Sequence, residues 1–131
     1  MFIDASALTA LLTDEDDARE LLARLQQTKE RTTSPLAVWE AAIAVARVLG
    51  LTVSETGEAV DDYLAMMEID VVAVPPQTAK IALDAFERYG KGRHPARLNF
   101  GDCFAYACAR HFGQPLMFKG ADFPQTDIEA A

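Results

Sequence analysis

Three carboxylates in this chain stand where a carboxylate is expensive. Asp4 is the only charged residue in MFIDASALTALLT, Glu40 the only one in PLAVWEAAIAVA, and Asp102 the only one in LNFGDCFAYACA. An ionised carboxylate in apolar surroundings needs hydrogen-bond donors, a cation or a metal ion to offset its lost hydration. None of the three has a Lys or Arg three or four residues away, the spacing that would pair it along a helix. If the three converge in space, a hard divalent cation held through oxygen would satisfy them together. Taken singly, each has another reading: a helix cap, a surface residue or half of a tertiary ion pair. The remaining acids, such as Glu15-Asp16-Asp17 and Asp61-Asp62, lie in polar runs and read as solvated helix faces.

Convergence depends on the elements that carry these residues. Met1–Ile3 reads as a short buried strand that runs into Asp4, with Ser6 placed to cap a following helix or to steady a ligand. Residues 14–27 read as a helix, because Ala18, Leu21, Leu22 and Leu25 recur at helical spacing. Residues 31–34 form a β-branched stretch. Ser34-Pro35 then starts a helix, with Ser as N-cap and Pro in the first turn, that stops at Gly50. Trp39 in this apolar run reads as core. Ser54, Gly57 and Glu58 open a further helix to about Met67, and residues 69–74 read as a strand ended by Pro75-Pro76. Helices are expected at 77–89 and 101–112, a strand at 115–118, and an edge strand at 126–128. Strands alternating with helices imply one α/β domain over residues 1–131, with a mainly parallel sheet and helices on both faces. Such sheets bind ligands at the carboxyl ends of their strands. Asp4 follows a strand, and Asp122 follows the strand at 115–118 in the same way. Glu40 and Asp102 lie in the first two turns of their helices.

Composition narrows the classes. Of 131 residues, 50% are hydrophobic, which supports a packed core, and no apolar run reaches the roughly 18 residues of a membrane span. With no signal-like start, a cytoplasmic protein is expected. Cys103 and Cys108 are five residues apart, about 140° around a helix, and read as reduced, structural thiols. Two cysteines and two histidines give no zinc pattern. A net charge of −8 opposes binding to nucleic acid, although a metal-binding site must itself be acidic and bound metal reverses the local field. The loop KGRHPAR supplies Lys91, Arg93 and Arg97 near Asp102. It reads either as a phosphate contact or as an ordinary solvated loop. His94 and His111 are a lesser option as a metal-free acid–base pair.

The ordered set MFIDASAL, the apolar helix with Glu40, LNFGDCFAYACA and PLMFKGADFPQTDI resembles the PIN-domain ribonucleases, and more narrowly the VapC toxins of bacterial toxin–antitoxin pairs. The resemblance spans essentially the whole chain. It implies that Asp4, Glu40 and Asp102 are the three core acids, Asp122 the more variable fourth, and Ser6 the hydroxyl that follows the first acid by two. It further implies a Mg²⁺- or Mn²⁺-dependent endoribonuclease, an RNA substrate, a VapB-type antitoxin and a homodimer. From the residues alone two other classes stay open. One is a non-catalytic partner-binding module whose acids receive basic residues. The other is a phosphotransferase or phosphatase with Asp4 as nucleophile, which would want a well-placed lysine.

Overall fold

The computed structural model describes residues 1–131. Ten elements run β1 (Phe2–Ile3), α1 (Ala5–Leu12), α2 (Ala18–Gln26), β2 (Thr32–Thr33), α3 (Pro35–Leu49), α4 (Val53–Met66), β3 (Asp70–Val71), α5 (Thr78–Tyr89), α6 (Phe100–Phe112) and β4 (Leu116–Met117), followed by a single 3₁₀ turn at Phe123–Gln125. The strands form one sheet in the order β3-β2-β1-β4, and every pairing is parallel. No helix is long and apolar enough to cross a membrane.

Strand alternation divides the interior into two cores, one on each face of the sheet. Ile3 and Met117 pack among α1, α2, α3 and α4 with Leu8, Leu21, Leu25, Ala41, Val60 and Leu64. Phe2 and Leu116, one residue earlier in the same strands, face the opposite way onto α5 and α6 with Ala85, Leu98 and Tyr106. Helices therefore cover both faces, as the alternation of elements implies. Both cysteines are buried and unpaired.

Local signals account for most boundaries. The Ser34 hydroxyl accepts from the Ala37 amide at 3.2 Å and Pro35 enters the first turn. Gly50 closes the same helix in the left-handed region, with φ 66°. Three expectations differ. Asp14 has φ 52°, so the chain leaves helical geometry there and α2 starts at Ala18 rather than near Asp14. Thr52, not Ser54, caps α4, accepting from the Glu55 amide. The edge strand expected at 126–128 is absent. Asp127 instead accepts from Tyr106, Arg110 and Arg88, which ties this segment to α5 and α6, and the only pairing with β4 is Leu116 with Ala130.

Candidate active site

The chain runs from β1 to β2 on one side of the sheet, whereas β4 flanks β1 on the other. The crevice beside the carboxyl end of β1 is therefore a topological switch point, where ligands of parallel sheets gather. A cavity of about 430 Å³ lies there, and its walls include Asp4, Ser6, Thr9, Glu15, Glu40, Asp102 and Lys119.

Each acid is placed by a different local device. Asp4 leaves β1 and is the N-cap of α1. Its Oδ2 accepts from the Ser6 amide at 3.0 Å and from the Ser6 hydroxyl at 2.5 Å. The capping role considered for Ser6 thus belongs to Asp4. Ser6 Oγ in turn accepts from the Lys119 amide at 3.0 Å, so one hydroxyl joins the exit of β4 to the carboxylate at the exit of β1. Asp102 is the third residue of α6. Its Oδ2 accepts from the Asn99 amide at 3.0 Å while Asn99 Oδ1 accepts from the Asp102 amide at 2.9 Å, a reciprocal capping box. Glu40 reaches the site from α3. Its carboxylate lies directly over the backbone of Gly101, where a Cβ would overlap both of its oxygens.

Electrostatics at this cluster is unfavourable without a ligand. Asp4 is only 5% exposed, and burial raises its pKa despite the bonds from Ser6. Burial, then the charges of Asp4 and Asp102, push Glu40 up to about 7. Burial also lifts Asp102 to about 6, against the Asn99 amide and with help from the charges of Asp4 and Asp122. Lys119 is the one cation in the cavity wall, and it is already paired with Glu15 and, at 3.5 Å, with Asp17. No three acids, histidines or thiols stand close enough to hold one ion between them in this conformation. The donor set nonetheless fits a hard divalent cation, because of the four carboxylates in the wall only Glu15 is paired with a cation, which leaves Asp4, Glu40 and Asp102 with none to offset their charge.

The structure brings Asp4, Ser6, Glu40 and Asp102 together. Asp122 is exposed beyond the cavity wall, near enough for its charge to act on Asp102. Lys91, Arg93 and Arg97 are exposed on the loop between Gly90 and Leu98, and none lines the cavity. The Arg93 guanidinium lies 5.5 Å from the centre of the Phe86 ring. His94 and His111 do not form a pair. His94 precedes α6 and accepts from the Ala96 amide through Nδ1, whereas His111 is in the last turn of that helix, roughly 18 Å along at 1.5 Å per residue. Two cavity residues escape a reading by sequence. Glu15 sits in a polar run that looks solvated, and nothing local marks it. Lys119 leaves β4 much as Asp4 leaves β1, which was the available signal.

These acids make a prediction about the metal-free protein. A carboxyl whose folded pKa exceeds its unfolded value binds more protons when folded, so stability falls as pH rises between the two values. For Glu40 that window runs from 4.5 to about 7, and for Asp102 from 3.8 to about 6. In EDTA, the melting temperature of the parent should drop by a few degrees relative to Glu40→Gln between pH 4.5 and 7, each site contributing on the order of 1 kcal/mol after solvent screening. Parallel melting curves for the two proteins across that range would show that Glu40 carries no such cost.

The chain matches the PIN domain over residues 1–129. It is 45% identical over 130 residues to a "Ribonuclease VapC" of Mycolicibacterium smegmatis, covering 99% of this chain and 98% of that protein. It is 43% identical over 128 residues to "Ribonuclease VapC30" of Mycobacterium tuberculosis, covering 98% and 95%. A crystal structure of Mycobacterium tuberculosis VapC20, described as a sarcin–ricin loop cleaving toxin, superposes with a TM-score of 0.76 at 20% identity, over 99% of this chain and 97% of that one. The likeness to VapC20 concerns the fold alone. The chain belongs to the PIN-domain family and, within it, to the VapC ribonucleases.

Proposed function

We propose that this protein is a Mg²⁺- or Mn²⁺-dependent endoribonuclease and the toxin of a VapBC-type pair. The observation that carries the metal reading is the arrival of Asp4, Glu40 and Asp102 from β1, α3 and α6 in one cavity without a compensating cation. Asp4 and Asp102 would hold the ion, with Asp122 completing the shell at the rim. When bound, such an ion supplies Lewis acidity toward phosphoryl oxygens and makes water more acidic. Ser6 sets the orientation of Asp4, since both of its bonds fall on Oδ2. Glu40, whose carboxylate shares the cavity with Asp4 and Asp102, would take the proton of the attacking water. Attack on phosphorus then forms the new O–P bond and breaks one bridging P–O bond, and the departing ribose oxygen takes up a proton from solvent. Lys91, Arg93 and Arg97 stand outside the cavity and would contact phosphates away from the scissile one.

The ribonuclease reading also follows the VapC relatives, and with it come an RNA substrate, a cytoplasmic setting, a VapB-type antitoxin over the site and a homodimer. Two features oppose the phosphotransferase alternative: Lys119 is committed to Glu15 and Asp17, and Asp4 is a buried cap. Purified protein freed of any antitoxin should cut single-stranded RNA with Mn²⁺ or Mg²⁺ and stop in excess EDTA. Undiminished cleavage in EDTA would refute the metal requirement. Absence of cleavage with either ion, in protein shown to be folded, would favour the non-catalytic module.

A further inference from the structure

Trp39 contradicts its sequence reading as core: it is 65% exposed. The buried stripe of α3 is Ala37, Ala41, Ala42 and Val45. Trp39 lies two residues from Ala37 and from Ala41, about 200° round the helix from each, and so faces outward. Phe100, the first residue of α6, is 67% exposed and stacks at a tilt on Phe104, with ring centres 5.0 Å apart. An exposed Trp and an exposed Phe each leave a large apolar face in water, at a cost that core packing does not repay.

The two rings flank a recess of about 210 Å³ whose other walls are Leu36, Glu40, Asn99 and Gly101. Glu40 lines both this recess and the acidic cavity, so the two share a wall. The recess is smaller than the roughly 300–1,000 Å³ of a drug-sized ligand pocket and suits one planar ring system. Asn99 spends its amide oxygen on the Asp102 N–H, while its amide nitrogen donates to no group of the protein.

We infer that Trp39 and Phe100 form a nucleobase subsite, in which a base of the RNA next to the scissile phosphate stacks on the rings and the Asn99 amide nitrogen donates to an acceptor on its edge. This rests on the ribonuclease reading. The physical case is that unpaired bases bind proteins by stacking on exposed aromatic faces, with polar groups reading their edges. Continuity with the acidic cavity names the occupant, since a strand laid across Asp4, Glu40 and Asp102 must place its neighbouring base near this recess. A net charge of −8 strengthens the argument, because a protein short of cations needs contacts other than phosphate pairing to hold RNA.

Trp39 is the only tryptophan in the chain, so its fluorescence reports on the recess directly. With Mg²⁺ present, the four nucleoside 5′-monophosphates should quench it saturably, and ribose 5-phosphate should not. In RNA cleavage, Trp39→Ala should raise KM on the order of 10- to 100-fold, the range for one lost stacking partner, with a smaller change in kcat. Trp39→Phe should stay within a few-fold of the parent. Equal response to nucleotides and ribose 5-phosphate, or an unchanged KM in Trp39→Ala, would overturn the subsite. So would a Trp39→Ala variant whose only defect is altered self-association by light scattering, which would assign the face to a protein contact. Failure of the ribonuclease reading looks different: the folded parent would cut no RNA with either ion, whatever the fluorescence reports.

Discussion

Asp4→Asn and Asp102→Asn should each lower metal-dependent RNA cleavage by at least about 100-fold, in line with the loss of a principal electrostatic or acid–base group, yet leave the metal-free fold at least as stable as the parent. The two halves of this expectation have one cause. Asp102 accepts from the Asn99 amide and Asp4 from Ser6, and an asparagine oxygen can accept both kinds of bond. Geometry is kept while a buried like charge is removed. Burial raises the pKa of both groups, and the charge of Asp4 raises that of Asp102, so their ionised forms oppose folding when no cation is bound. Added Mn²⁺ should stabilise the parent, because a ligand that binds only the folded state raises its stability. The Asn variants should lose most of that gain. Asp17 is unsuitable as a surface control, since it lies 3.5 Å from the Lys119 ammonium. Asp62, exposed on α4, serves instead, and Asp62→Asn should change none of these quantities. Thermal melts of the four proteins with and without Mn²⁺, alongside cleavage rates, make the test. An Asp102→Asn protein melting well below the parent in EDTA would show that the carboxylate works as a structural cap and would remove it from the metal site.

Gly101→Ala should be nearly silent in stability and severe in activity. Alanine in the first turn of α6 improves helix propensity by roughly 0.5–1 kcal/mol over glycine. Its Cβ, however, would stand where both carboxylate oxygens of Glu40 now lie. Glu40 is the end of a flexible side chain, so it can swing away at little cost to the fold, and the site then loses its carboxylate as surely as by mutation. Cleavage should fall on the order of 100-fold or more, like the loss of a general base, while the melting temperature holds or rises slightly. A double-mutant cycle separates this from a generic defect. In a Glu40→Ala background the alanine at position 101 should cost almost no further activity, because nothing remains to displace. Additive losses in the double variant would mean that Gly101 acts apart from Glu40, for instance by admitting the substrate backbone.

Much of this site was legible because its signals are local. Each lone carboxylate stood out against its own apolar run, and for two of them the device that holds it lies close in sequence, Ser6 for Asp4 and Asn99 for Asp102, whereas Glu40 meets Gly101 only through the fold. The caps of α3 were equally local, with Ser34 and Pro35 at one end and Gly50 at the other. Alternation of elements likewise carried the parallel sheet with helices on both faces, since short parallel strands require crossovers.

What only the tertiary structure decided concerns faces and distant partners. The helix carrying Trp39 is apolar around most of its circumference, so periodicity could not say which side would pack. Contacts with α1, α4 and α6 buried the alanine stripe and left the tryptophan in solvent. Glu15 and Lys119 are 104 residues apart, and only the closing of β4 against β1 brings the lysine to the acid cavity, where Glu15 and Asp17 become its partners. The segment at 126–128 was expected to pair as an edge strand, but Asp127 meets two arginines and a tyrosine brought in by α5 and α6, and pairing with β4 begins only at Glu129–Ala131. Local chemistry thus determined which residues could act and how each is capped, because caps and charge contrast reach only a few residues along the chain. Packing determined which of them meet and which side chains line the cavity or face solvent, because those choices depend on surfaces that the fold alone brings together.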